Sequence, residues 1–535
     1  MPVLQKTALI EDLSDNQFVQ RYSFTREDGA EGSIELRPAE ADKWITFRDQ
    51  LRNRNAHPSL LNKPRIEGAA ASEPTRRSAY AAATGWRPGH RTFVLAHRAI
   101  GANTKNICGL PPDAHRPEPR GTSKAWLRSV GVLARKSSGM MLTTCCSFAA
   151  PLLRIANEQS FGLCLAGKTG GGKTTATLVG SSVGGPGQID QLLTWNATLA
   201  GLEPALRSHN DCLMVVDDLN KMPVASDKEK HHNTSNFAHN LGTGSTKRRS
   251  PAFDEGSDNG ERYRVISLTS AETTIAELAA KCGEQRGGDA RRLIDLPIYL
   301  DGLDHIFDRV PNAGQLGQSE LQQLFASVHA ACAKDHGQVF AQYVAFLIRS
   351  RTVLRDKIIK HVNRFRANAA GRADGIVYAD IIRKFGLIYA GGALAIEGID
   401  LPWKKAELLD ATTKCCNAAL DTLSTEQRVL DAGWKSLKVR LMSLPRTSAI
   451  ARNEYDTVDG YVERQRDRYR CVVKTDKFNR IFVNTLQRKL VLDELARRNW
   501  ITRSRSNENQ GQFIWPDGVR RRSLEINWGR RTSSA

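Results

Sequence analysis

The sequence predicts an α/β fold organised around a parallel sheet, and three features of residues 162–268 indicate this. Residues 162–166 form a short apolar run that leads into a glycine-rich loop and then into a helix-forming stretch. Two later apolar runs, residues 213–216 and 263–268, end in polar residues and are separated by helical stretches. Strands that alternate with helices along the chain are typical of parallel sheets.

Four segments are predicted along the 535 residues. Residues 1–123 mix strand-like runs with loops and end in a proline-rich stretch, which predicts a mixed N-terminal α+β domain and a linker. Residues 124–312 are predicted to form the three-layer core that contains the parallel sheet. Residues 313–434 are helical in pattern and nearly free of proline, which predicts a helical lid, and residues 435–535 form a basic module.

The charge of the chain is unevenly distributed. The formal net charge is +20, and residues 435–535 contain 23 Lys and Arg against 11 Asp and Glu, an excess of 12. A basic surface favours polyanions by counterion release, so DNA is the expected partner; a basic protein kept soluble by its charge is the alternative. The sequence shows no secretory signal and no run of about 18 apolar residues, so we expect a cytoplasmic protein without a membrane partner.

The glycine-rich loop predicts phosphate binding. Residues 167–174 (GKTGGGKT) follow a strand-like run directly and precede a helix, which is the context that a P-loop requires. Backbone N–H groups of such a loop curl around phosphates, and the helix dipole favours their charge. Lys173 is expected to reach the β- and γ-phosphates of ATP, and Thr174 to place its hydroxyl on Mg²⁺. The predicted nucleotide-binding residues are Gly167, Lys168, Thr169, Gly170, Gly171, Gly172, Lys173, Thr174 and Thr175.

The second apolar run ends in two carboxylates, Asp217 and Asp218. A strand that ends in this way, downstream of a P-loop, is typical of the strand that supplies a metal ligand to the nucleotide site. Asp217 is expected to hold Mg²⁺, directly or through water, and Asp218 to polarise the attacking water. A buried strand that ends in two solvated acids is the alternative interpretation.

The third apolar run and the segment that follows it predict further catalytic residues. Thr269 or Ser270, at the end of the run, is expected to orient the water, unless both are ordinary strand-end hydroxyls. Arg292 precedes another apolar strand and is predicted to stabilise charge in the site of a neighbouring subunit, with Arg291 in reserve. A surface pair of cations is the alternative for the two arginines.

A polar insert between the second and third apolar runs predicts a contact with a phosphate backbone. Residues 240–249 are cationic and contain glycine, and Lys247 and Arg248 are the predicted DNA contacts. A surface loop without a ligand is an equal alternative.

The basic C-terminal module predicts a second DNA contact. Residues 481–498 predict an amphipathic helix, residues 500–503 a strand and residues 513–526 a hairpin, an arrangement that is similar to a winged helix. Contacts with phosphates would position the module without reading sequence, and a solubilising basic tail is the alternative. The predicted contacts are Arg503, Arg505, Arg520, Arg521 and Arg522.

Nine short stretches, in order along the chain, resemble the family known as domain of unknown function 927, the ATPase domain of helicase-like proteins from bacterial mobile elements. The glycine-rich loop is the most specific of them, and the resemblance extends from about residue 85 to residue 430. It implies an AAA+-type P-loop NTPase fold, related to minichromosome-maintenance helicases, that works as a ring on DNA. The stretches are residues 84–86 (TGW), 147–153 (SFAAPLL), 167–174, 194–198 (TWNAT), 202–203 (LE), 209–211 (HND), 268–272 (LTSAE), 292–297 (RLIDLP) and 383–385 (RKF).

The resemblance also implies roles for individual residues. It makes Arg292 an arginine finger that acts in trans, Arg383 a second-sensor arginine that touches the γ-phosphate, and the insert around Lys247 a DNA-contacting hairpin. A helix-face cation is the alternative for Arg383. The chain departs from the family at Asp218, where glutamate is usual, and at residues 219–221, where LNK replaces the usual Gly-Gln. Because aspartate is one methylene shorter, we expect slow turnover.

Three functions are compatible with these features. The first is a Mg-ATP-dependent DNA helicase or translocase, a hexamer-like ring of identical subunits on single-stranded or forked DNA in the bacterial cytoplasm. It would serve replication of a phage, plasmid or integrated mobile element, alongside that element's replication proteins. The second is an ATP-gated DNA-binding protein with weak turnover, which the departure at Asp218 favours. The third is an ATPase that remodels a replication initiator.

Overall fold

The computed structural model describes most of the chain, which divides into two compact units, Met1–Leu420 and Asp421–Ala535. The described residues are 1–12, 17–102, 104, 106–111, 117–244, 262–282, 288–369, 376–465, 468–482, 485–501 and 511–528. The predicted boundaries after residues 123, 312 and 434 remain predictions.

The first unit begins with a four-stranded sheet and three helices: β1 (Leu4–Asp12), β2 (Gln17–Thr25), β3 (Glu31–Leu36), α1 (Pro38–Ala41), α2 (Trp44–Arg52), α3 (Lys63–Ala71) and β4 (Arg76–Tyr80). The strand order is β3-β2-β1-β4, and only the β1–β4 pair is parallel. Alternate residues of β2, including Tyr22 and Phe24, pack on Phe47 and Leu51 of α2. These residues give the sheet one apolar face, which the helices cover.

A small antiparallel sheet and four short helices connect this region to the core. They are β5 (Gly85–Trp86), β6 (Thr92–Val94), β7 (Ala99–Gly101), α4 (Ser123–Arg128), α5 (Val130–Ala134), α6 (Ser138–Ala149) and α7 (Leu152–Ile155). Every residue of α6 is buried, because its sequence is apolar or small on all sides.

The core is a five-stranded sheet whose paired strands are all parallel, which confirms the predicted mixed α/β class with a parallel sheet. Its elements are β8 (Phe161–Ala166), α8 (Lys173–Ser182), β9 (Leu193–Thr194), α9 (Leu199–Ser208), β10 (Leu213–Asp217), α10 (Asp227–Thr243), β11 (Ile266–Ala271), α11 (Ile275–Lys281) and β12 (Leu293–Pro297). The order β12-β8-β11-β10-β9 places β11 between the two strands that lead into the predicted motifs. The carboxyl ends of β8, β11 and β10 therefore lie side by side at one edge.

Two hydroxyls of α6 fix the helix that follows the glycine-rich loop. Thr143 Oγ1 donates to the carbonyl of Ala176 at 2.7 Å, and Ser147 Oγ donates to that of Gly180 at 2.6 Å. A Cβ at Gly180 would lie 2.8 Å from the Thr143 carbonyl oxygen, so glycine permits this close packing. The buried α6 therefore supports α8 from behind.

Five further helices follow, and only the last of them extends beyond the first unit. They are α12 (Gln318–Lys334), α13 (Val339–Arg349), α14 (Arg351–Asn368), α15 (Ile376–Ile399) and α16 (Lys405–Met442). Most of the described residues between 313 and 434 are helical, as the sequence pattern predicts, and α15 packs against both α14 and α6. Among the described residues, no helix is both long enough and apolar enough to cross a bilayer.

The second unit contains a four-stranded antiparallel sheet in the order β13-β14-β16-β15. The strands are β13 (Gly460–Gln465), β14 (Arg468–Lys474), β15 (Gly511–Ile514) and β16 (Arg520–Trp528). The unit also contains the helices α17 (Thr475–Asn479) and α18 (Thr485–Arg497). The predicted amphipathic helix is α18, and the predicted C-terminal hairpin is β15–β16. The β13–β14 hairpin is absent from the sequence prediction, and the winged-helix likeness remains a prediction.

The strand predicted at residues 500–503 is wrong for its first two residues. Asn499 has a φ of 56°, a left-handed conformation that ends α18 with a tight turn. The N–H of Trp500 then donates to the carbonyl of Leu495 at 2.9 Å, and Ile501 is buried in the core of the unit. Residues 502 and 503 lie outside the described residues.

Candidate active site

The glycine-rich loop, residues 167–172, connects the end of β8 to the first residue of α8. Gly172 caps the helix with a φ of 102°, a left-handed conformation that favours glycine. A Cβ at Gly171 would lie 2.3 Å from the Tyr299 ring and 2.4 Å from the Asp304 carbonyl oxygen, so only glycine fits there. The loop therefore turns tightly with bare backbone against its neighbours, which leaves N–H groups at the start of α8 available to an anion.

The Lys173 ammonium lies inside this turn. Its Nζ donates to the carbonyls of Gly167 at 2.6 Å and Lys168 at 2.8 Å, and the residue is 9% exposed. Burial lowers the pKa of Lys173, while the charges of Glu272, Asp218 and Asp217 oppose that effect. A phosphate at the loop would meet a cation that is already partly desolvated, where its attraction is strong.

Two side chains from two other elements contact Asp217, which is 4% exposed. Thr174 Oγ1, in the first turn of α8, donates to Asp217 Oδ2 at 3.0 Å. Ser270 Oγ, on β11, donates to Asp217 Oδ1 at 2.7 Å and accepts the N–H of Asp218 at 3.0 Å. A hydroxyl and a carboxylate within hydrogen-bond distance form a hard oxygen pair that fits Mg²⁺.

The backbone turns at Asp218, the first residue after β10. Its φ is 58°, and its carboxylate accepts the N–H of Asn220 at 3.2 Å. Lys221 Nζ lies 3.9 Å from the same carboxylate. Asp218 lines the site cavity, but a local turn already engages its carboxylate.

Of the two hydroxyls predicted to orient water, the structure brings only Ser270 to the site. Thr269 is fully buried, and its Oγ1 accepts the indole N–H of Trp195 at 2.6 Å within the core. Successive residues of a strand point to opposite faces. Ser270 therefore shares the face of Asp217, and Thr269 points away from it.

A cavity of about 450 Å³ runs along the glycine-rich loop. It includes three side chains that are absent from the sequence prediction, Glu272, Phe325 and His329. Thr175 Oγ1 lies 2.9 Å from His329 Nε2 on α12, and burial lowers the pKa of His329. Only Glu272 had a sequence signal, since it ends the family-like stretch 268–272, two residues after Ser270. The cavity is lined by Thr169, Gly170, Gly172, Lys173, Thr174, Thr175, Ile189, Asp218, Asn220, Ser270, Ala271, Glu272, Phe325 and His329.

Arg292 lies at the opposite edge of the sheet. Leu293 pairs with Gly162 at the start of β8, whereas the loop follows Ala166 at the end of β8. A strand of this length places Arg292 roughly 16 Å from the loop. Its Nη1 lies 3.0 Å from His239 Nδ1, so Arg292 does not reach the cavity of its own chain.

Arg383 also lies at this far edge, away from the loop of its own chain, and its contact with a γ-phosphate remains a prediction. Its guanidinium forms ion pairs with Glu158, three residues before β8, and with Asp380 on α15. The neighbouring Lys384 is buried and donates to the Arg291 carbonyl and to Asp380. The packing of α15 at the start of β8 fixes this position.

Two of the family-like stretches form a buried network at the same far edge. The N–H of Trp86 donates to Asp211 Oδ2 at 3.0 Å, and the Asn210 amide donates to the carbonyl of Thr84 at 2.8 Å. Arg154 Nε completes the network with Asp211 at 3.0 Å. A Cβ at Gly85 would lie 2.4 Å from Asp211, so these residues attach β5 to the core.

The predicted DNA contacts divide into two groups. Lys247, Arg248, Arg503 and Arg505 lie outside the described residues. Arg520 is exposed on β16. Arg521 is paired with Asp456 at 2.6 Å and Asp517 at 2.7 Å and lies 5.0 Å from the centre of the Trp515 ring. The hydrogen bond with Asp517 is the main reason that the pKa of Arg521 is raised, so its charge is already neutralised by carboxylates.

Comparisons with known proteins agree with the resemblance. The family model described as Domain of unknown function (DUF927) matches residues 60–256, which confirms the resemblance over a span that contains the glycine-rich loop and both aspartates. A solved structure named "SCCmec type IV Cch - active helicase" is similar in fold, with a TM-score of 0.57 and 14% identity over 98% of this chain and 94% of that one. No curated protein matches the chain.

Proposed function

We propose that this chain binds and hydrolyses Mg-ATP. The single observation that carries the proposal is the hydrogen bond of 3.0 Å between Thr174 and Asp217 beside the glycine-rich loop. Thr174 and Asp217 would hold Mg²⁺, which would neutralise charge on the phosphate oxygens when bound. Lys173 would contact the β- and γ-phosphates, and residues 167–172 would surround them with N–H groups.

The chain's own residues keep this site in place before nucleotide arrives. Ser270 holds one oxygen of Asp217, so the other is directed at Thr174. The contacts of α6 with α8 hold the first turn of the helix against the sheet. Such preorganisation lowers the reorganisation needed when a charged substrate binds.

The position of Arg292 supports a site shared between copies of the chain. Because Arg292 is roughly 16 Å from its own loop by strand geometry, it can act only on the nucleotide of another copy. A guanidinium supplied in trans stabilises charge on the transferring phosphoryl group. We therefore propose a closed, hexamer-like ring with an AAA+-type core, and Arg383, on the same edge as Arg292, is not assigned to its own site.

DNA is the proposed partner, in single-stranded or forked form. The excess of 12 positive charges in residues 435–535 supports it, as does the solved structure of similar fold that is named as a helicase. We propose that the chain is a cytoplasmic helicase or translocase that serves the replication of a bacterial mobile element. Residues 1–123, 124–312, 313–434 and 435–535 remain its proposed domains.

The test measures phosphate release by the purified full chain, with and without single-stranded DNA. A second measurement determines the oligomeric state by size-exclusion chromatography in the presence of a nonhydrolysable ATP analogue. We expect DNA to stimulate hydrolysis, and the analogue to favour the ring. Lys173→Ala should lower hydrolysis about 10²- to 10³-fold, because it removes a preorganised charge. Lys281→Ala, an exposed lysine at the end of α11, is the control. Equal hydrolysis by Lys173→Ala and the wild type would remove the proposal.

A second function is favoured by the turn that engages Asp218. If its carboxylate stays with the Asn220 N–H, ATP would act as a switch for DNA binding with little turnover. Tight ATP-dependent DNA binding, with hydrolysis near background in the wild type and in Asp218→Glu, would support this reading. An ATPase rate that DNA leaves unchanged would instead favour the remodelling of a replication initiator.

A further inference from the structure

Glu272 is a carboxylate of the cavity that the motif assignments leave without a role. It follows the last residue of β11, and Ala271 pairs with Ala166, so Glu272 lies beside the start of the glycine-rich loop. Glu272 and Ser270 line the same cavity.

The contacts of Glu272 place it beside the glycine-rich loop that is proposed to bind the phosphates. Thr169 Oγ1, in the loop, donates to Glu272 Oε1. Glu272 and Lys173 line the same cavity. A carboxylate that contacts a loop hydroxyl and shares this cavity with Lys173 lies beside the proposed phosphate site.

Asp218 is less well placed for the same task. Its carboxylate accepts the N–H of Asn220 and lies 3.9 Å from Lys221 Nζ. Its side chain is also one methylene shorter than that of glutamate. The segment that follows β11 thus supplies a longer carboxylate to the cavity that Asp218 also lines.

We propose that Glu272, rather than Asp218, polarises the water that attacks the γ-phosphorus; this rests on the proposed ATPase function. The water oxygen bonds to phosphorus as the bond to the bridging oxygen breaks, and ADP leaves with that electron pair. The proton of the water passes to the Glu272 carboxylate and from there to the released phosphate. A general base at this position contributes about 10²- to 10⁴-fold to a rate.

The test is Glu272→Gln in the full chain, because the amide oxygen can still accept the Thr169 hydrogen bond. Hydrolysis at saturating ATP should fall at least about 100-fold. The affinities for ADP and for a nonhydrolysable ATP analogue should stay within about threefold of wild type, less than 1 kcal/mol. Glu67→Gln, an exposed glutamate 3.7 Å from Lys63 on α3, is the matched control and should change neither.

A second readout does not depend on turnover. Aluminium fluoride with ADP mimics the transferring phosphoryl group, and we expect it to tighten nucleotide binding to the wild type but not to Glu272→Gln. In parallel, Asp218→Asn should retain both hydrolysis and this tightening to a greater extent than Glu272→Gln.

The outcomes separate this inference from the proposed function. Wild-type hydrolysis that Lys173→Ala abolishes and Glu272→Gln retains would overturn the role of Glu272 alone. Loss of ADP binding in Glu272→Gln would overturn it too, because the residue would then be structural. Hydrolysis that Lys173→Ala leaves intact would overturn the ATPase proposal and the inference with it.

Discussion

At the carboxyl edge of the parallel sheet, Lys173, Asp218 and Ser270 face an open cavity, whereas at the amino edge Asn210 and Asp211 are enclosed by other side chains. Both edges carry polar residues from the family-like stretches. At the first edge these residues converge on a space that can hold a ligand. At the second edge the polar residues form hydrogen bonds with one another, so their role is to stabilise the fold. Sequence similarity to the family marks polar residues at both edges of the sheet. Only their positions in the fold show which edge can bind a ligand and which edge stabilises the structure.

We propose a catalytic role for Arg292, at the amino edge of the sheet. Its substitution has the largest expected effect on ATP hydrolysis. Arg292→Ala should lower ATP hydrolysis by about 10³-fold or more, as for a guanidinium that acts in trans. Arg128→Ala, an exposed arginine at the end of α4, is the matched control. Mixing Arg292→Ala with Lys173→Ala should restore hydrolysis, since one variant supplies an intact pocket and the other an intact Arg292. Absence of any recovery in the mixture would place Arg292 with the structural residues.

The ion pair between Asp211 and Arg154 at the amino edge should contribute to the stability of the fold and not to nucleotide binding. Asp211→Asn retains the shape and tolerates the φ of 56°, but it leaves the Arg154 guanidinium without its carboxylate. Asp211 is fully buried but the Arg154 side chain is 33% exposed, so the cost should lie at or below about 3 kcal/mol, the lower end for a buried pair. The midpoint of chemical denaturation should therefore fall while ATP affinity of the folded protein stays the same. Asp410→Asn, in a surface pair with Arg309, should cost about 1 kcal/mol or less. A weaker ATP affinity with normal stability would reverse the assignment.

Two adjacent residues of β11 test the comparison within one strand. Thr269→Val leaves the Trp195 indole N–H unpaired, which should cost about 1–3 kcal/mol in unfolding free energy and little hydrolysis. Ser270→Ala removes a donor from Asp217, so hydrolysis should fall about tenfold, or roughly 1.4 kcal/mol, with a smaller change in stability. Unfolding curves and phosphate release of both variants decide the matter. The reverse pattern would mean that Thr269, and not Ser270, faces the nucleotide site.

The smallest effect is expected in the second unit. Arg520→Ala removes an exposed cation, so the plot of log affinity for single-stranded DNA against log salt should become shallower by about 0.7. Arg521→Ala removes a cation that Asp456 and Asp517 already pair, and the slope should not change. Fluorescence anisotropy with single-stranded DNA at several salt concentrations measures both. Equal slopes for the two variants would remove Arg520 from the DNA contacts.

The parts of the site that were predictable from sequence are those that depend on local order. A strand, a glycine-rich loop and a helix are adjacent in the chain, so Lys173 and Thr174 could be placed before the fold was seen, and Asp217 ends a recognisable strand. Choosing Ser270 over Thr269 requires the register of β11 against β10, which is tertiary information. The position of Arg383 depends on where α15 packs, and no local pattern contains that.

Other elements were missed because their patterns are weak. The β13–β14 hairpin has charged residues on both faces, including Glu463, Arg464 and Arg470, so period-two alternation is obscured. Phe325 and His329 reach the cavity from a helix about 150 residues beyond the glycine-rich loop, a distance over which sequence spacing carries no geometry.

The central claim is that Thr174 and Asp217 hold the metal of a nucleotide bound at the glycine-rich loop. Its most direct test is calorimetric titration of ATP with and without Mg²⁺, for the wild type and Asp217→Asn, with the exposed Asp227→Asn as control. We expect Mg²⁺ to tighten ATP binding in the wild type and the control, and we expect Asp217→Asn to lose about 10- to 100-fold of Mg²⁺ affinity. The same Mg²⁺ dependence in all three proteins would contradict the claim.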